Sequence, residues 1–381
     1  MAGECKKLKN FVQSVPILNL AVPRFVRYFF AAPAMFQPRG GNAAAPVFPD
    51  MPAAPSRRKL FEMTKKQMIL RFEFDVATPD HFRKITDRET AMRMFKNSIN
   101  MLEIEVFSYC NRRCWFCPNA QIDRRSKNEY MDPELYTGIM RQLAEVDYNE
   151  VISYSRYNEP LADRVILERL KEANETVPNA LLHTNTNGDY LTFDYLEELY
   201  GAGLRSLNIQ VYLQNDQRYD HDLMRKKSDF LIKKLGLPAE LKIDKPGLHL
   251  EHHLDYKDMS LRVYARNFEV NGCSRGDTLP IRQDYVRTMP CPVPFRFLYI
   301  DYNGKMVPCC NLRSDMPQHE ECVYCDLGGN NDIFAAYAAS NLVMWRRALV
   351  GFEEKAGVCR SCSYPDAAGR CRKKKSIIRK T

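Results

Sequence analysis

The chain has 381 residues, 45% of them hydrophobic, a net charge of +9 and 13 cysteines. This is enough apolar material for one large domain with additions, or for two or three domains, and it excludes a chain without a core. Most of the cysteines fall in two groups, residues 110–117 and 291–371, which is unlike the spread of a secreted disulfide framework and favours metal or cluster binding in a reducing compartment.

The positive charge lies at the ends. Residues 1–60 carry nine Lys/Arg against Glu4 and Asp50, and residues 370–381 carry seven Lys/Arg and no acid, so the body between them is −5. A basic groove on the body is not indicated, and no nucleic-acid partner is expected. The N-terminal run "FVQSVPILNLAVPRFVRYFFAAPAMF" is apolar, but Pro16, Pro23 and Pro33 break it as a helix, and Arg24 and Arg27 spoil it as a transmembrane span. Residues 1–60 therefore read as a flexible Pro/Ala-rich basic extension, and 61–101 as a lead-in segment. The acid-poor start is compatible with organelle targeting, but the expected location is the cytoplasm.

From residue 102 strands and helices alternate. "LEIEVFS" (102–108) is a strand that runs into the first cysteine loop. The next helix opens at Asp132, with Pro133 at its first position. "EVISYS" (150–155), "ALLHT" (180–184) and "SLNIQVYL" (206–213) are further strands, each followed by an amphipathic helix. This order predicts a parallel sheet or barrel with ligands at the carboxyl ends of its strands. "GLHLEHHLDY" and "SLRVYARNFEV" are strands too close together for a parallel crossover, so one is expected to be a hairpin partner outside the main sheet.

"CNRRCWFCPN" places Cys110, Cys114 and Cys117 directly after the first strand. Three thiolates can hold three irons of a cubane and leave the fourth open to a small molecule. A zinc site completed by a remote ligand is the alternative. The C-x3-C-x2-C spacing, with the aromatic Phe116 before the third cysteine, resembles the signature of the radical S-adenosylmethionine (radical SAM) enzymes. The resemblance spans about residues 102–280 and implies a partial (β/α)6 barrel. It also implies a 4Fe-4S cluster whose open iron is chelated by S-adenosylmethionine, and a 5′-deoxyadenosyl radical that abstracts hydrogen. It assigns the core to 102–285. "RYNEP" after the second strand matches the end of the family's Gly-Gly-Glu-Pro-like turn at Glu159 and Pro160, with Tyr157 and Asn158 in place of the glycines. By the same resemblance Phe116, Asn158, Glu159, Pro160, Thr184, Asn185, Asn187, Ile209 and Val211 are candidate cofactor contacts, with Gly188 making the turn after the third strand.

The second group carries Cys291, Gly304 and Cys309 in a C-x12-G-x4-C pattern, then Cys359 and Cys362. Four thiolates close a cluster completely. The pattern resembles the SPASM/twitch-like extension that binds an auxiliary 4Fe-4S cluster, here assigned to 286–372 and followed by a basic tail, 373–381. Cys322 and Cys325 with Cys359 and Cys362 make a zinc site the competing reading. Cys310, Cys322, Cys325 and Cys371 are possible ligands of a further metal, and Cys5 and Cys273 read as ordinary thiols.

The expected substrate is a polar small molecule such as a sugar or aminocyclitol, with net dehydrogenation assisted by the auxiliary cluster. The alternatives are a peptide-modifying maturase and a zinc-stapled binding module without enzymatic activity. A radical SAM enzyme also implies an electron donor such as flavodoxin or ferredoxin. No general acid or base is legible. Tyr212, Arg266, Arg275 and Asp277, in or after the late strands, are the candidates. Exposed charge in the tails is screened within about 8–10 Å at physiological salt. A protein lacking 1–55 and 373–381 is therefore expected to keep its iron and its cofactor-cleavage rate. Iron analysis and 5′-deoxyadenosine formation check this.

Overall fold

The computed structural model describes residues 73–329 and 331–363. The N-terminal extension, the first part of the lead-in, Cys5, Cys371 and the basic tail lie outside the described residues.

Ten strands form one sheet: β1 Met101–Ile104, β2 Val151–Ser153, β3 Leu181–Thr186, β4 Ser206–Gln210, β5 Ala239–Lys245, β6 His249–Leu254, β7 Ser260–Arg266, β8 Phe297–Ile300, β9 Lys305–Val307 and β10 Cys325–Asp326. Their spatial order is β10-β9-β8-β1-β2-β3-β4-β7-β6-β5. The six strands β8-β1-β2-β3-β4-β7 are parallel, and antiparallel pairs extend both edges. Strands β1 to β4 follow one another in sequence order, as the alternation predicts. Helices α1 Arg88–Ser98, α2 Pro133–Glu145, α3 Val165–Thr176, α4 Phe193–Gly201 and α5 His221–Leu235 precede or connect them. The predicted start of α2 is present: the Asp132 carboxylate accepts from the amides of Glu134 and Leu135 at 2.7 and 3.1 Å.

Two features differ from the expectation. The "HLEHHL" strand, β6, lies within the sheet, antiparallel to both β5 and β7. A tight hairpin can join antiparallel strands, so the short spacing that rules out a crossover does not rule out membership of the sheet. The sixth parallel strand, β8, does not follow β7 but pairs with β1 from Met101↔Phe297 to Ile104↔Ile300. The segment carrying the second cysteine group thus continues the same sheet. Its turn is set by Gly304, whose φ of +76° suits glycine and where a Cβ would come within 2.8 Å of Leu135.

Register gives the sheet two distinct faces. Leu102, Ile152, Leu182, Leu207 and Leu261 fall on one, and Glu103, Ser153, His183 and Ser206 on the other. The second face continues as Asn185, Asn208, Gln210, Arg262, Tyr264 and Arg266, with His249 and Glu251 opposite β7. Asn208 donates to Asn185 at 2.8 Å, Asn185 to Ser155 at 2.6 Å, and Tyr264 to Gln210 at 2.9 Å. This face is polar yet buried.

A buried ion network joins the strand ends. Arg124 contacts Glu105 at 2.5 Å and Asp315 at 2.8 Å. Arg156 contacts Asp301 at 2.6 Å and Glu103 at 3.6 Å, and Arg313 contacts Asp315 at 2.7 Å. Removing one partner of such a pair strands a charge, at a cost of about 3–5 kcal/mol. Arg124→Ala is therefore expected to lower the free energy of unfolding by that amount, and breaking an exposed pair such as Arg93–Glu89 by less than about 1 kcal/mol. Chemical denaturation of the two variants tests the contrast.

Candidate active site

The loop after β1 carries Cys110, Cys114 and Cys117 and is held from several directions. The Cys110 amide donates to Arg124 O at 3.1 Å, the Glu159 amide to Tyr109 O at 2.8 Å, and the Trp115 amide to Asn215 O at 2.9 Å. Arg112 bonds Asp189 at 2.5 Å and the Leu213 carbonyl at 2.9 Å. Asn111 donates to Asp189 at 2.7 Å and accepts from Asn187 at 2.8 Å. The loop is thus fixed to the carboxyl ends of β2, β3 and β4. Cys110 and Cys114 are buried and Cys117 partly so, all three as free thiols, with the Cys117 amide bonded to Cys114 O at 2.9 Å. Burial pushes the Cys110 thiol up to about 12 and raises Cys114 as well, so ligation of a metal there releases protons.

Glu159 is 2% exposed. Its carboxylate accepts from the Leu161 amide at 3.1 Å, the Asn187 amide at 2.7 Å and the Thr186 hydroxyl. Burial pushes it up to about 7 against the pull of those three donors. Its side chain ties the turn after β2 to the end of β3. Pro160 opens the single 3-10 turn Pro160–Ala162. Asn158 leaves its Nδ2 buried without a protein partner, as does the Tyr157 hydroxyl. Asn185 and Asn187 are at the same end of the sheet, but each is already paired within the protein. Thr184 and Ile209 lie on the apolar face, in register with Leu207 and Thr186, turned away from the polar face. Ile209 packs beneath Gly188, where φ is +79° and a Cβ would meet it at 2.9 Å. Val211 is buried just past β4. Phe116 stacks on Phe268 with centroids 3.7 Å apart and planes within 3°, and Tyr212 packs beside it at 5.2 Å.

The second cysteine group folds against the other side of β1. Cys291, Cys309, Cys359 and Cys362 are all buried, as is Cys322. Cys362, Cys291 and Cys322 act together on Cys359. Cys325 lies on the edge strand β10, where burial and Asp326 raise its thiol. Arg287, 1% exposed, was not singled out from the sequence: a lone arginine in "YVRTMP" has no spacing signature. It donates to the carbonyls of Met289 and Pro290 and, at 3.4 Å, to Cys362 Sγ. Burial alone would lower its basicity, yet Cys362, Cys291 and Cys359 together raise it. A buried guanidinium set against three cysteine sulfurs fits thiolates bound to an iron–sulfur cluster. The Asn311 amide, directed at Cys309 Sγ at 3.4 Å, fits the same group. Among the described residues no three His, Cys, Asp or Glu are arranged to grip a single metal ion. A four-iron cluster instead spreads its thiolates over separate irons.

Residues 104–230 match the family model described as the Radical SAM superfamily. The S-adenosyl-L-methionine-dependent 2-deoxy-scyllo-inosamine dehydrogenase of Niallia circulans is 29% identical over 269 residues, covering 69% of this chain and 92% of that protein. The GTP 3',8-cyclase of Peptoclostridium acidaminophilum is 29% identical over 124 residues, 32% of this chain and 37% of that one. Among solved structures, BtrN in complex with AdoMet and 2-DOIA aligns with a TM-score of 0.49 at 23% identity, over 67% of this chain and 88% of that one. No described helix is long and apolar enough to cross a membrane.

Glu159→Gln puts an amide N–H against one of three donors. An unsatisfied buried pair of that kind costs about 1–3 kcal/mol. Because the native carboxyl sits near 7, above its unfolded value of 4.5, its stabilising contribution is full below about 4.5 and is lost as pH rises through 7. The deficit of the variant relative to the wild type is therefore expected to be larger at pH 5 than at pH 8. Thermal denaturation at the two pH values measures it.

Proposed function

Since the chain belongs to the radical SAM superfamily, we propose that it oxidises a hydroxyl-bearing carbon of a small polar substrate, a sugar or cyclitol, by net dehydrogenation. A 4Fe-4S cluster with S-adenosylmethionine on its open iron supplies, when bound, the 5′-deoxyadenosyl radical that removes hydrogen. Cys110, Cys114 and Cys117 would hold that cluster. Cys291, Cys309, Cys359 and Cys362 would hold an auxiliary 4Fe-4S cluster, which would supply an acceptor for the second electron. The observation that carries the reading is the buried Arg287, which faces three of those four thiols and hydrogen-bonds Cys362 Sγ. The Niallia circulans relative, matched over 92% of its length, is named as a dehydrogenase of an aminocyclitol and supports the reaction class.

The chain's own residues bind, orient and exclude water. Arg112 and Asp189 clamp the cysteine loop, Glu159 fixes the turn after β2, and Phe116, Phe268 and Tyr212 form an apolar wall beside Cys117. Of the cofactor contacts expected from the sequence, Phe116, Asn158, Glu159, Pro160, Asn187 and Val211 remain in this proposal, with Asn185 holding the polar face behind them. The starting electron comes from a flavodoxin- or ferredoxin-type donor, and buried free thiols suit the reducing cytoplasm.

Anaerobically reconstituted protein is expected to carry about eight irons, four for each cubane. Replacing Cys110, Cys114 and Cys117 with Ala should abolish 5′-deoxyadenosine formation. Replacing Cys359 and Cys362 should leave about four irons and uncoupled cofactor cleavage without oxidised product. Iron near four with one zinc in the wild type would remove the auxiliary cluster, and cleavage by the triple variant would remove the site assignment.

A further inference from the structure

Arg266 ends β7 and Arg275 lies in the loop that follows, Arg266 buried and Arg275 partly so. The Arg266 guanidinium rests on the Phe268 ring at 4.5 Å, and Phe268 stacks on Phe116 beside Cys117. Arg266 Nε is buried with no hydrogen-bond partner. The titratable groups acting on it include Arg275, the phenols of Tyr264 and Tyr212, and the Cys273 thiol. Arg275 donates to Asn311 at 2.5 Å and faces Cys273, Tyr157, Cys117 and Cys310. Neither arginine has a carboxylate partner in the described residues.

The surrounding acids are committed elsewhere. Glu105 and Asp315 serve Arg124 and Arg313, and Glu103 and Asp301 serve Arg156. Asp189 serves Arg112, and Glu251 serves Arg262, His249 and His253. Glu159 is held by its three donors, and Asp277 accepts from Ser361. Beside Arg266 Nε, the polar atoms without a partner at this end of the sheet include Asn158 Nδ2, Gln210 Nε2 and the Tyr157 hydroxyl. Each of them can donate a hydrogen bond, so what is missing here is acceptors. Cys117 of the first cysteine loop faces Arg275, and Cys273 lies beside both arginines.

We propose that the substrate carries an oxyanion group, a phosphate or a carboxylate, seated between Arg266 and Arg275. A guanidinium fork matches the two oxygens of either group, and the stacked Phe116–Phe268 pair places that anchor one ring layer from the cysteine loop. An ammonium-bearing cyclitol would meet two like charges, so the substrate differs in charge from the amine processed by the dehydrogenase relative. This inference rests on the small-substrate reading above and narrows it.

The test is equilibrium binding to the anaerobically reconstituted holoenzyme saturated with S-adenosylmethionine, with four probes: myo-inositol, 2-deoxy-scyllo-inosamine, myo-inositol 1-phosphate and glucuronate. At least one anionic probe is expected to bind tenfold or more tighter than the neutral and cationic ones, and whichever is tighter identifies the oxyanion. Arg266→Gln should erase most of that preference with iron content and S-adenosylmethionine affinity unchanged, and Arg266→Lys should retain part of it. Equal or weaker binding of both anionic probes overturns the proposal, as does a preference that survives in both Arg266→Gln and Arg275→Gln. A tenfold loss of S-adenosylmethionine affinity in Arg266→Gln, assigning that arginine to the cofactor carboxylate, also overturns it. An anion preference without oxidised product would instead leave this inference standing and remove the dehydrogenase reading.

Discussion

Where β1 meets β2 and β8, Arg124, Arg156 and Arg313 are buried against Glu103, Glu105, Asp301 and Asp315. These seven side chains come from distant parts of the chain: Glu103 from β1 and Glu105 just past it, Arg156 from the turn after β2, Arg124 from beyond the first cysteine loop, and Asp301, Arg313 and Asp315 from the segment after β8. Burial, with the neighbouring Cys310, raises the Glu103 carboxyl well above its ordinary range, against the pull of Arg156. Such a network specifies position more than it adds stability. Here it fixes the loop that bears Cys117 relative to the hairpin that bears Cys309.

The same constraint governs the polar interior. A sheet whose enclosed face carries Ser153, His183, Asn185, Asn208, Gln210 and Arg262 cannot close on itself as an apolar core would. Its side chains satisfy one another along the strands, as Asn208 does with Asn185 and Arg262. Only near the carboxyl end does the pairing run out, at Tyr157, Asn158, Gln210 and Arg266. Polar satisfaction in the body of the sheet and unused donors at its mouth together define where a ligand rich in acceptors belongs.

Local signals in the sequence carried much of this. The cysteine spacing located the first loop, and the Asp132–Pro133 start and the alternating strands located β1 to β4 and their helices. Period-2 alternation in "HLEHHL" and "LRVYAR" was equally visible, but the pattern is the same whether the polar side faces solvent or an enclosed interior, so the lining of the site was not legible. The pairing of β8 with β1 was hidden for a different reason: "FLYI" is a short apolar run, and such a run does not say which strand it joins. The roles of Arg112, Arg124 and Arg287 depend on partners far along the chain, and no spacing rule reaches that far.

The pairing of β1 with β8 also bears on how the chain is made. The first strand gains its second neighbour only when residues roughly two hundred positions later have been synthesised. Until then a row of backbone amides and carbonyls on β1 has no partner, and a nascent chain that already holds its first three cysteines presents an open sheet edge to other chains. That edge closes only when β8 docks on β1, so the last parallel strand to be made is also the one that completes the sheet around the first cysteine loop.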